Sequence, residues 1–146
     1  MAETLMGWLI PNRVIYALAR AHSIEENRLA VNRAIQLMDE SSAPAIHHII
    51  DQSQFSPKMA NADPADVSTD LRRMLQHPKV GWVLTCYGDN LFVKYVNWVL
   101  AHENQVKSRH FETANVAASF LVGVDDSLPP LPDVDAFIKD FRERHR

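Results

Sequence analysis

The chain of 146 residues carries a single cysteine, Cys86, which excludes an internal disulfide and removes any argument for an oxidising compartment. Glycine is nearly as scarce, four in all, and neither G-x-G-x-x-G nor G-x-x-x-x-G-K occurs. The backbone has no loop built to approach a nucleotide phosphate, and no cofactor is expected. An excess of one charge is also missing: 15 Lys and Arg stand against 18 Asp and Glu, with basic residues scattered singly or paired only as Arg72-Arg73. That leaves no stripe on which counterion release could drive binding to DNA or RNA. No apolar run approaches the roughly 18 residues of a membrane span, and no charged-then-apolar leader pattern is present, so a cytoplasmic location without a membrane span is expected. The basic end, Arg142, Arg144, His145 and Arg146, reads as the solvated complement of a helix C-terminus.

What the chain does have is apolar side chains, 47% of the total, enough for one domain of this length to bury about two-thirds of its unfolded surface. Met6 to Ile10 and Val14 to Ala21 flank Pro11-Asn12-Arg13, which is turn chemistry and predicts a β-hairpin. Ser23-Ile24-Glu25-Glu26 is a capping box and opens a helix to about Glu40, whose apolar stripe is Ile24, Val31, Ile35 and Met38 with Ala34 and Leu37. Ala45 to Asp51 is a short apolar run rather than an alternating one, as in a strand covered on both faces and central in a sheet. Gln52 to Ala62 reads as a loop. Asp63-Pro64 then supplies a cap and a first-turn proline for a helix to Gln76 that buries Val67, Leu71, Met74 and Leu75. His77-Pro78 stops it.

Val80 to Tyr87 reads as the next strand, and Asn90 caps a helix from Leu91 to Glu103. Val106 to Phe111 is a shorter strand. Thr113 caps a helix with Ala117, Phe120, Leu121 and Val124 inward, and Leu128-Pro129-Pro130-Leu131-Pro132 is a stiff connector to a last amphipathic helix. Strands alternating with helices predict an α/β fold: a mixed, mainly parallel sheet with an N-terminal β-hairpin and four to five helices packed on it. The whole of residues 1–146 is expected to be a single domain, with its core at about 6–124 and a C-terminal helix at about 133–146.

Catalytic and metal-binding patterns are sparse among the seven histidines. His47 and His48 are adjacent on a strand, point to opposite faces and cannot chelate one ion together; one of the two is expected to be a satisfied interior histidine. No H-E-x-x-H, C-x-x-C or H-x-E pattern appears, so no catalytic, metal or cofactor residue is assigned and no enzyme activity is expected. Cys86 lies near the C-terminal end of a predicted parallel strand, where open α/β sheets place ligands, but an apolar strand raises a thiol's pKa and makes it inert.

The order of elements from Met6 to Val124, with a strand ending in Asp51-Gln52-Ser53, looks like the STAS fold of bacterial anti-sigma-factor antagonists and their SpoIIAA-like relatives. The run from Leu75 to Trp82 followed by Asn90-Leu91 resembles uncharacterised bacterial STAS-like proteins. The resemblance implies a non-catalytic regulatory or protein-interaction module, often switched by phosphorylation of a serine near the strand end. Here the candidate phosphoacceptors are Ser53 and Ser68, although the glycines usual in that loop are absent and Asp63, Asp66 and Asp70 crowd Ser68 with like charge. Partner specificity is expected in the loop from Ser53 to Ala62 and in the strand-end loops. The alternative is a carrier of a small apolar ligand or lipid, since SpoIIAA-like folds are similar to larger lipid-transfer domains.

Leu91, Tyr95, Trp98 and His102 form a second stripe on the predicted helix after Asn90, wider than one sheet face needs. Either it is the interface of a homodimer, as aromatic enrichment suggests, or the last helix folds back and covers it.

Overall fold

Pro11 and Asn12 close the first turn with Asn12 at φ +64°, the left-handed conformation that Asn tolerates. The computed structural model, which describes residues 4–60, 62–88, 102 and 105–145, pairs β1 (Leu5–Ile10) antiparallel with β2 (Val14–Leu18) across that turn. The capping box then forms with its return bond one residue before the cap. Ser23 Oγ accepts from the Glu26 N–H at 3.2 Å and the Glu26 carboxylate accepts from the His22 N–H at 2.8 Å, which starts α1 (Ile24–Glu40). β3 (Ile46–Asp51) follows. The segment read as a loop contains a single-turn helix, α2 (Pro57–Ala60), too short for any periodic pattern to reveal.

Asp63 caps α3 (Pro64–Leu75) through its carboxylate and the Ala65 N–H at 2.9 Å. The chain continues through β4 (Val80–Cys86), β5 (Ser108–Phe111), α4 (Ala114–Val124) and α5 (Val134–Arg144). The described strands form one sheet in chain order, β1-β2-β3-β4-β5. β2, β3, β4 and β5 run parallel and β3 is central, so the sheet is mixed and mostly parallel. No described helix is long and apolar enough to cross a membrane.

Period-two alternation splits the core in two. One face carries Tyr16, Leu18, Ile49, Leu84 and Cys86, covered by α4 and α5. The other carries Ile15, Ile46 and Val83, covered by α1 and α3, as two successive crossovers of one hand require. Gly7 lets α5 close on the hairpin: a Cβ there would stand 3.2 Å from the Phe141 ring. Phe137 and Phe141 meet Tyr16 edge-on at 5.6 and 5.2 Å. Two readings from the sequence need correction. Val124 ends α4 in water, 46% exposed, the buried face being Ala114, Ala117, Ala118 and Leu121. Arg142 does not complement a helix end in solvent; it reaches across to Asp51.

Candidate functional site

Small side chains leave a space between the sheet and its α1/α3 cover. Ala17 and Ala19 at the end of β2 lie under Ala30 and Ala34, one turn apart on α1, and together with Ile50, Val67, Leu71 and Met74 they line a cavity of about 120 Å³. Phe55 and Met59, on either side of the start of α2, also line it. No charged side chain lines this space among the described residues. Four polar side chains, Thr4, Asn27, His48 and Gln52, interrupt the apolar lining. His48 Nε2 and Asn27 Nδ2 are both buried without a hydrogen-bond partner, each costing about 1–3 kcal/mol when left unpaired. His48 is 3% exposed. Burial, and then the charges of His47 and His77, lower its pKa to about 4, so the ring is neutral near neutral pH.

His47, one residue earlier, points to the other face, where its Nδ1 accepts the Trp82 N–H at 3.0 Å. Its Nε2–H therefore donates to Asp125 Oδ2 at 2.8 Å. Hydrogen bonding from Ser127, then from His47, holds the Asp125 pKa at about 2. Gly81 makes room for the ring, because a Cβ there would fall 2.5 Å from His47 Nδ1. With both nitrogens committed, His47 has neither a free base position nor a lone pair for a metal. It is the satisfied interior histidine; His48 is not.

At the C-terminal ends of the parallel strands the polar groups are consumed by one another. Asp51, 0% exposed, accepts from the Tyr16 hydroxyl, from Arg142 Nη2 at 2.6 Å and from the Ser53 N–H at 2.9 Å. The Arg142 guanidinium also donates to Ser53 Oγ at 3.0 Å and lies 5.3 Å from the centre of the Tyr87 ring. Burial and the Asp51 contact push the Tyr16 hydroxyl pKa upward. Cys86 ends β4 beside this cluster, fully buried with its thiol 3.7 Å from the Ile50 carbonyl. Burial raises the thiol pKa far above its usual range, which suppresses the thiolate that nucleophilic chemistry needs. The arrangement ties α5 to the sheet.

Of the candidate phosphoacceptors, Ser53 is exposed and held by Arg142, whereas Ser68 is half-buried on α3. Asp70 does not crowd it from solvent: it is buried and paired with Arg28 at 3.1 Å. Leu91, Tyr95 and Trp98 lie outside the described residues, and His102 is exposed. Sequence reasoning missed Asn27 and Ala30 as members of a site. The available signal was alanine at i and i+4 on a helix stripe facing alanines on a strand. Among the described residues no group of three or more His, Cys, Asp or Glu is placed to hold a metal ion. No protein-family model, no curated protein and no solved structure matches the chain.

Proposed function

We propose that the chain is a non-catalytic binding module whose cargo is a small, largely apolar molecule held between the sheet and α1/α3. The observation that carries this is the mostly apolar cavity, lined in part by His48, whose Nε2 is buried without a partner. An imidazole is not left dry and unpaired without cost, and a ligand atom meets that deficit. Ligand sites in proteins have this composition: mostly hydrophobic lining with a few placed polar groups. Phe55 and Met59, within the loop Ser53 to Ala62 that is expected to carry partner specificity, also line the cavity, which joins occupancy to the surface a partner would read. Native mass spectrometry of protein purified from cells tests the proposal. A retained organic adduct of low mass supports it; an empty chain that also takes up no small molecule in solution contradicts it.

A second reading is a STAS-like regulatory module that binds a protein. It is supported by the hairpin followed by parallel strands in chain order and by three exposed valines of α4, Val116, Val122 and Val124. A protein that co-purifies with an adduct-free chain would favour it over the carrier.

A further inference from the structure

We infer that ligands enter the cavity at the C-terminal margin of the parallel strands, beneath the Phe55–Met59 segment, and that Arg142, on the opposite face of the sheet, sets how readily that segment opens. This rests on the cavity being a binding site. Strand register orders its floor. Ile15 and His48 form one rung of the lining, Ala17 and Ile50 the next, and Thr4, Ala19 and Gln52 lie beyond them, where β1 begins and β2 and β3 end. Phe55, whose N–H donates back to the Gln52 carbonyl at 3.2 Å, joins Met59 in lining the cavity from this margin. Opening is easiest here. The other cover is made of α1 with 17 residues and α3 with 12, whereas α2 has four, and a single turn is the least costly element to unseat. Past Ser53, the bonds from the Met59 N–H to the Ser56 carbonyl at 3.0 Å and from the Lys58 N–H to Ser56 Oγ at 3.2 Å run within the segment, so it can swing as a unit about its root. That root is held from the far side. Arg142 Nη2 donates to Asp51 Oδ2 at 2.6 Å and to Ser53 Oγ at 3.0 Å, and the Ser53 N–H donates to Asp51 Oδ1 at 2.9 Å. Loosening this clamp frees the chain leading into Phe55 without altering the cavity wall, because Ser53 is not part of the lining.

Ser53→Ala tests this, since it cuts the Arg142–Ser53 bond at an exposed position and leaves the Asp51–Arg142 pair in place. Benzene is the probe, because about 120 Å³ is close to the ~150 Å³ apolar cavities that accept it. It is titrated into the isotope-labelled full chain while the signals of Ala34 and Ile50 report its affinity and its rates of entry and release, and amide hydrogen exchange is read in parallel. In Ser53→Ala, exchange at Phe55 and Met59 and both benzene rates are expected to rise about fivefold, the worth of one net hydrogen bond. Benzene affinity and exchange within β3 should stay at wild-type values, because entry and release scale alike with the opened fraction. Phe55→Ala, which removes a ring from the entrance, should speed benzene release. Exchange and benzene rates unchanged in Ser53→Ala, or exchange raised throughout β3 as well, overturn the control by Arg142. Benzene release unchanged in Phe55→Ala overturns the entry route. If benzene moves neither signal in the wild type, the binding-site reading itself fails, and hydrogen exchange in Ser53→Ala still decides whether Arg142 holds the segment.

Discussion

His47 and His48 are consecutive in β3, and the His47 ring is hydrogen-bonded through both nitrogens, to the Trp82 N–H at 3.0 Å and Asp125 at 2.8 Å, while His48 Nε2 is buried beside a cavity with no partner. Strand alternation sends the two rings to opposite faces. One side was furnished with hydrogen-bonding groups and the other with alanines, so the same residue type is a structural tie on one face and an open valence on the other.

A buried neutral histidine makes stability depend on acid. The unfolded chain binds this proton below the ordinary value of 6.5, the folded chain only below about 4. Stability from keeping His48 neutral is therefore complete above pH 6.5 and declines as pH falls toward 4, by about 3 kcal/mol. Urea denaturation across that window should show this slope, and His48→Leu should flatten it while staying within about 1 kcal/mol of the wild type near neutrality. An unchanged slope in the variant would place the proton uptake elsewhere.

Asp51 is fully buried and Arg142 is its cation. Arg142→Met is expected to cost about 3 kcal/mol, because it strands a buried carboxylate. The double change with Asp51→Asn should recover part of that loss. Chemical denaturation of the three variants checks it; a single-variant loss under about 0.5 kcal/mol, the range of an ordinary surface change, would mean that the contact does not hold α5.

Ala30→Leu projects a larger apolar side chain into the cavity. Cavity filling commonly adds about 0.5–2 kcal/mol, so the variant should melt at or above the wild-type temperature and lose uptake of small ring compounds. A well-folded variant that binds them unchanged would put the binding site somewhere other than beneath α1.

Cys86 should resist iodoacetamide in the folded chain and react fully in denaturant, as its burial and raised pKa require. Mass spectrometry of the labelled protein reads both states. Rapid labelling without denaturant would reopen a nucleophilic role.

Much of this fold could be read along the chain because its signals are local. Ser23 with Glu26, Asp63 with Pro64 and His77 with Pro78 each act within a few residues, and the short, non-alternating run to Asp51 marked the central strand. What escaped is non-local or is made of missing atoms. Asp51 and Arg142 stand 91 positions apart, with no pattern linking them. Val124 continued a helical stripe beyond the sheet that would have buried it. The cavity consists of volume that Ala17, Ala30 and Ala34 do not fill, and a periodic apolar stripe looks the same whether or not its neighbours reach it. His47 and His48 were separable by face, but only the fold shows which of them found partners.

Xenon needs no knowledge of the natural cargo, since it enters dry apolar cavities of this size. Methyl signals followed under xenon pressure should shift at Ala17, Ala34, Ile50 and Met74 and saturate as for one site. Weak, unsaturable shifts spread over the surface, with those four unmoved, would contradict the cavity and the binding function drawn from it.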